Sequence, residues 1–294
     1  MAFNWQSFKT RTFTAAIFVV VMLTGLLWNH WSFFILFSII HFGCWMEYQR
    51  LVALIDKNYA SITPFHKYGV MIAGWCIMLY FTGDAYNIFG LRLHELGWWL
   101  GIISIFILPI NELLFAKEVQ LKNIGHSAFG LVYISLSFGL MMDLFGQKNI
   151  NVHDTVYSVA SYFIPVVIIA SIWINDTMAY IVGSLIGRTP ISKISPRKTW
   201  EGTVGGIILS IGACGLLAYY VLHLEWLTYH ICIIAAIASV AGTFGDLLES
   251  KLKRLAGVKD SGHIMPGHGG FLDRFDSLLV AIPFVWLYFY FFMR

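Results

Sequence analysis

Charge is what this sequence has least of: only 12% of its 294 residues are Asp, Glu, Lys or Arg. Soluble domains average about 25%, so water is excluded as the main solvent. Length alone would allow one or two soluble domains, but no polar block is long enough to build one. A Pro-rich linker, a low-complexity tract and an internal repeat are likewise missing. What remains is a single integral-membrane unit over 1–294. Cysteine is scarce as well. Cys44, Cys76, Cys214 and Cys232 each sit in an apolar run without CxxC spacing, a pattern of buried structural thiols and not of disulfides or a thiolate metal site. The absence of GxxxxGK[ST] excludes a P-loop ATPase. The first apolar run, 14–28, follows Lys9 and Arg11 but ends in WNHW with no small-residue cleavage site. It reads as a membrane helix and not as a signal peptide.

Apolar sequence is abundant: 58% of residues are hydrophobic and 17% aromatic. A bilayer core needs about 20 mostly apolar helical residues. Candidate spans fall near 14–28, 31–46, 68–81, 97–115, 126–145, 157–175, 203–222, 229–248 and 276–293. The expected fold is therefore all-α and polytopic, with about nine transmembrane helices. A further piece at 176–187, DTMAYIVGSLIG, is too short to cross and is expected to form a re-entrant or kinked half-helix. The N-terminal helices would occupy 1–174, and the catalytic helices and loops 175–294. With the N-terminus cytoplasmic, the inner loops collect 16 basic residues and the outer ones only Arg92, Lys148 and Arg294. That is a strong positive-inside bias. The basic face suits anionic headgroups or phosphorylated substrates.

Ten charged side chains crowd into 246–276, and three stretches there and upstream could carry chemistry. In GDLLESKLKR, residues 245–254, Asp246, Glu249 and Ser250 share a helix face, while Lys251, Lys253 and Arg254 follow as either anchors or anion ligands. In LDRFDS, residues 272–277, Asp273 and Asp276 also share a face. One aspartate would suffice to cap a helix; two, with Asp246, make a candidate oxygen-only site for Mg²⁺. The loop SPRKTWEG, 195–202, brings Ser195, Arg197, Lys198 and Thr199 to a helix start, where they serve either phosphate oxygens or interfacial anchoring. Asp176, like Glu112 and Asp143, is an intramembrane acid and a functional candidate on that ground. His263 and His268 are five apart in a Gly-rich loop, a poor zinc spacing; His268 could donate to a phosphate or only satisfy its loop. Carboxylates, cations and hydroxyls gathered on one face suit phosphoryl or nucleotidyl transfer.

The segment SKLKRLAGVKDSGHIMPGHGGFLDRFD, 250–276, resembles the signature of the phosphatidate cytidylyltransferase (CDP-diacylglycerol synthase) family at every specified position. NDTMAY and ISPRKTWEG resemble further family segments, so the likeness runs from about 175 to 277. It implies an enzyme that joins CTP and phosphatidic acid into CDP-diacylglycerol and pyrophosphate, with Mg²⁺ and a monovalent cation such as K⁺. Asp246, Asp273 and Asp276 would then bind metal. Lys259, Arg274, Lys198 and Arg254 would hold phosphates, Ser195, Thr199 and Ser250 would donate to them, and Asp260 and His268 would shape the nucleotide loop. Membrane lipids surround such an enzyme, a homodimer is compatible with it, and nucleic acid is not an expected partner. A bacterial inner membrane, with the site on its cytoplasmic face, is the expected location. The alternatives are a paralogue or kinase acting on another lipid, and a transporter. The transporter is disfavoured because no pair of broken helices recurs in two halves.

Overall fold

The computed structural model describes residues 5–116, 119–152, 155–192, 194–262 and 269–294, with side chains from residue 13 onward. In chain order its elements are helices α1 (Trp5–Leu27), α2 (His30–Ile55), α3 (Lys57–Ala60) and α4 (Pro64–Tyr80). Strands β1 (Asn87–Ile88) and β2 (Leu91–Arg92) come next, then α5 (Leu93–Phe115) and α6 (Leu121–Gly130). A π-helical stretch, Leu131–Leu136, joins α6 to α7 (Ser137–Gly146). Strands β3 (Asn149–Val152) and β4 (Thr155–Ser158) precede α8 (Phe163–Ile186), α9 (Trp200–Leu216) with a π-helical extension to Val221, α10 (Glu225–Leu255) and α11 (Leu272–Phe292). Two compact units emerge: residues up to Met142 with Leu252–Phe275, and Asp143–Lys251 with Asp276–Arg294.

Each expected span overlaps a helix, because long apolar runs in lipid must satisfy their own backbone groups, although 157–175 begins in a strand and a loop before its helix starts at Phe163. Among the described residues, six helical segments are long and apolar enough to cross a membrane: Leu93–Phe115, Leu121–Gly146, Phe163–Ile186, Trp200–Val221, Glu225–Leu255 and Leu272–Phe292. The other three expected spans coincide with α1, α2 and α4. Of these α4 has only 17 residues, and α2 carries Glu47, Gln49 and Arg50 in its C-terminal half. Two sequence expectations change. The all-α reading gains two antiparallel hairpins, β1–β2 and β3–β4. The turn of β1–β2 is made by Phe89 and Gly90, both at positive φ, as a two-residue hairpin turn requires. The half-helix expected at 176–187 is not separate: α8 runs unbroken through it. The polar residues Asn175–Thr177 look like a break in an apolar run, but nothing in them stops i→i−4 bonding; Thr177 Oγ1 even bonds back to the Trp173 carbonyl at 2.8 Å.

In the first unit, α1 and α2 meet across a tight turn closed by a reciprocal cap. Asn29 Oδ1 accepts from Ser32 N at 2.9 Å, and Ser32 Oγ accepts from Asn29 N at 3.1 Å. Thr63 caps α4, with Pro64 at its first position. Inside, Ser135 in the π-helical stretch meets Trp45 Nε1 at 2.8 Å and His41 Nε2 at 2.9 Å. Glu112, a candidate functional acid by sequence, instead bonds His66 Nδ1 at 2.9 Å, and His66 Nε2 reaches Ser127 Oγ at 2.8 Å. At the start of α3, Asp56 accepts from Lys122 Nζ at 2.9 Å and from Asn58 N at 3.0 Å. Chiefly the Lys122 contact holds its carboxyl below the usual range. A depressed folded value means the contribution is present above the unfolded pKa and lost as pH falls. We therefore expect Lys122→Gln to lower the thermal midpoint at pH 7, with the gap closing once the pH drops below 3.8.

In the second unit, α8 packs along α9 at close range because glycines line the contact. A Cβ on Gly202 would lie 2.7 Å from the Ala179 carbonyl oxygen, and one on Gly206 would lie 2.8 Å from that of Asn175. Small residues at i, i+4 let backbones approach where lipid offers no hydrophobic drive. Asp143 accepts from Trp286 Nε1 at 2.6 Å and from Gln147 Nε2 at 3.2 Å, so it too is absorbed locally. All four cysteines are free; Cys44, Cys76 and Cys214 are buried and Cys232 is half-buried.

Candidate active site

The close α8–α9 packing sets the floor of a cavity of about 550 Å³ in the second unit. The sequence-predicted Asp176, Ser195, Arg197, Lys198, Thr199 and Asp246 all line it, joined by Asn175, Tyr180, Thr203 and Thr243. Asp176 projects from the middle of α8, and Asp246 from α10 after an apolar stretch. The loop carrying Lys198 is tied down by backbone bonds, Ile191 N to the Lys198 carbonyl and Trp200 N to the Thr189 carbonyl, both 2.9 Å. Glu201 adds to this by accepting from Arg188 N at 3.1 Å and Thr189 N at 3.2 Å. Thr199 Oγ1 caps α9 through Gly202 N at 3.2 Å, which leaves its own hydrogen to donate. Lys198 Nζ pairs with Asp246 Oδ2, and Asp246 Oδ1 accepts from Ser250 Oγ at 3.2 Å. Asp276 is buried; its Oδ1 accepts from Ser277 N at 2.6 Å. Its carbonyl backs onto Gly245, where a Cβ would come within 2.4 Å.

The first unit contains the rest of the signature. Gly257, at φ +70°, ends α10: Gly257 N bonds the Arg254 carbonyl and Val258 N the Lys253 carbonyl, a Schellman stop that frees the chain to turn. Arg254 Nη1 donates to the Val258 carbonyl at 3.2 Å. Lys259 and Arg274 are exposed, Asp260 is half-buried, and His268 lies outside the described residues. Asp273 is heavily engaged. Oδ1 takes Lys253 Nζ at 2.6 Å; Oδ2 accepts from Ser261 N and Oγ, both 2.9 Å, and from Gly270 N at 2.8 Å.

Glu47 of α2 is the residue sequence reasoning missed. It accepts from Ser261 Oγ at 2.7 Å, Phe271 N at 2.9 Å and Leu272 N at 2.8 Å. Its one signal was a lone carboxylate inside WMEYQR, immediately after a long apolar run, where an acid needs partners.

The donor chemistry fits Mg²⁺, which is commonly held by one or two carboxylates plus substrate phosphates and waters. Asp246 and Asp176 offer carboxylates in one roomy, polar cavity. Among the described residues no three His, Cys, Asp or Glu side chains gather closely enough to hold a metal, so phosphate oxygens would have to complete the sphere.

Comparison with known proteins places this arrangement in context. The model of the "Cytidylyltransferase family" matches residues 9–292. A phosphatidate cytidylyltransferase of Staphylococcus saprophyticus is 31% identical over 276 residues, 94% of this chain and 96% of that one. One from Haemophilus influenzae is 30% identical, covering 97% and 99% of the two chains. One from Bacillus subtilis is 33% identical over 188 residues, 64% and 66% of each.

Proposed function

The chain belongs to the cytidylyltransferase family, and from that premise we propose that it transfers the cytidylyl group of CTP to phosphatidic acid. It is a nucleotidyltransferase of phospholipid synthesis, embedded in a membrane. The observation that carries this reading is the family match along the whole length, supported by a cavity that sets cations and hydroxyls beside carboxylates.

In the reaction, a phosphate oxygen of phosphatidic acid attacks the α-phosphorus of CTP. The new O–P bond forms as the bond to the β-phosphate oxygen breaks, and pyrophosphate leaves with that electron pair. The nucleophile needs no strong base, because a phosphate monoester is largely ionised near pH 7. Lys198, Arg197, Lys253, Arg254, Lys259 and Arg274 would neutralise the phosphates, with Lys198 moving from Asp246 to an incoming phosphate oxygen. Ser195, Thr199 and Ser250 would donate to those oxygens, Asp176 would stand beside the nucleotide, and Asp260 and His268 would shape its loop. Mg²⁺ would be held by Asp246 together with the substrate phosphate oxygens, and when bound it supplies charge neutralisation at the polyphosphate; Asp273 and Asp276 would become ligands by giving up the hydrogen bonds described above, and K⁺ is the proposed monovalent partner.

Nine crossings with a cytoplasmic N-terminus, a site on the cytoplasmic face of a bacterial inner membrane and a homodimer complete the proposal. A tag at the C-terminus should then be reachable only from outside the cell; labelling from the cytoplasm would remove the nine-crossing topology. For the reaction itself, purified protein in detergent is expected to release pyrophosphate only when CTP, phosphatidic acid and Mg²⁺ are all present. Release from ATP and diacylglycerol instead would transfer the assignment to a lipid kinase or paralogue.

A further inference from the structure

We infer that Glu47, far upstream of the signature in sequence, is a positioning residue for the reaction: its carboxylate holds Ser261 together with Phe271 and Leu272. This rests on the function proposed above.

Both Glu47 oxygens are used. Oε1 accepts from Phe271 N, and Oε2 accepts from Leu272 N and Ser261 Oγ. Ser261 follows the end of α10, and Phe271 and Leu272 lie where α11 begins. The first backbone N–H groups of a helix have no intrahelical partner and carry its positive end. Here a side chain from α2 satisfies two backbone N–H groups at that start. Ser261 Oγ also lies 2.9 Å from Asp273 Oδ2, so Glu47 is coupled through one hydroxyl to the Asp273–Lys253 pair.

Sterics make the clamp specific. A Cβ on Gly262 would come 2.1 Å from Glu47 Oε1, and one on Gly270 would come 2.2 Å from either oxygen. Both signature glycines therefore give way to the carboxylate, and α2 closes over it from the other side: a Cβ on Gly43, one turn earlier, would strike the Phe271 ring at 2.1 Å. With three donors engaged and two glycine backbones against it, Glu47 has no room for a substrate atom. It acts through the backbone it holds and does not touch the reacting groups. A glutamine has the same shape but sets an NH₂ against N–H donors, so Glu47→Gln breaks the clamp without emptying the site.

The test uses the full-length protein in detergent, with two readouts. Outer-shell partners are commonly worth 10–100-fold in activity, so Glu47→Gln should lower kcat by about 10–100-fold while the KM values for CTP and phosphatidic acid stay within about twofold. Hydrogen exchange in the peptide carrying Phe271 and Leu272 should accelerate, while exchange in peptides away from the clamp and the size-exclusion profile stay unchanged. Gly270→Ala should be similarly impaired alone, yet cost little more in a Glu47→Ala background, since residues in contact are not additive. An unchanged kcat, unchanged exchange at 271–272, or losses that multiply independently would overturn the clamp. Wild-type protein that releases no pyrophosphate would defeat the proposed reaction instead, and the exchange readout would still decide the role of Glu47.

Discussion

Asp246→Asn is expected to cut pyrophosphate release by about 10²–10³-fold, the scale of losing one electrostatic element of a polar transfer site. Asn keeps the shape and can still accept from Ser250, so folding should survive. What disappears is the charge that faces Lys198. Two explanations of that charge make different predictions. If Asp246 only neutralises Lys198, the double variant Asp246→Asn/Lys198→Met should lose no more activity than Lys198→Met alone. If Asp246 also helps hold Mg²⁺, the double variant falls below Lys198→Met, and residual activity needs more Mg²⁺. Wild-type rates in Asp246→Asn would remove the residue from the site altogether.

Asp273→Asn should be at least as damaging, for a different reason. One carboxylate oxygen meets an ammonium and the other meets three N–H or O–H donors. An amide must turn its NH₂ toward one set or the other, so either orientation sets donor against donor. The pair with Lys253 is mostly shielded, at 14% and 9% side-chain exposure. Removing one partner of such a pair commonly costs about 3–5 kcal/mol. Asp273→Asn and Lys253→Met should therefore both lower the detergent melting temperature, unlike Asp246→Asn. Asp273→Glu then separates the loop role from the metal role. Partial activity with an unshifted Mg²⁺ requirement would make Asp273 a loop clip alone; a raised requirement would keep it as a ligand. Normal stability and activity in Asp273→Asn would contradict both roles.

These two aspartates show how the sequence and the fold divide the work. Asp246, Asp273, Lys198 and Lys253 were legible because charges in a chain with so few of them must have a reason, and their spacing on helix ends gave that reason a direction. The apolar runs likewise located the helices, six of which among the described residues are long and apolar enough to cross a membrane, since lipid leaves a spanning backbone no other way to satisfy itself. The half-helix at 176–187 was misjudged because local polarity imitates a break, whereas a helix ends only where its hydrogen bonding or sterics fail. Strand β4 took residues 157 and 158 from the expected start of a span, a pairing no hydropathy window registers.

Other features were beyond reach of any local reading. Which donors saturate Asp273 depends on the turn after Gly257 folding Ser261 and Gly270 back onto it. That Lys198 answers Asp246 depends on glycine-lined packing of α8 on α9 and on a loop pinned by Glu201. Glu47 depends on partners 214, 224 and 225 residues away. By itself the sequence determined the solvent, the helices and the chemical alphabet of the site, because burial and charge are properties each residue carries alone. Only the tertiary structure decided which carboxylate meets which donor, because a hydrogen bond needs both groups within about 3 Å and that proximity belongs to the folded chain.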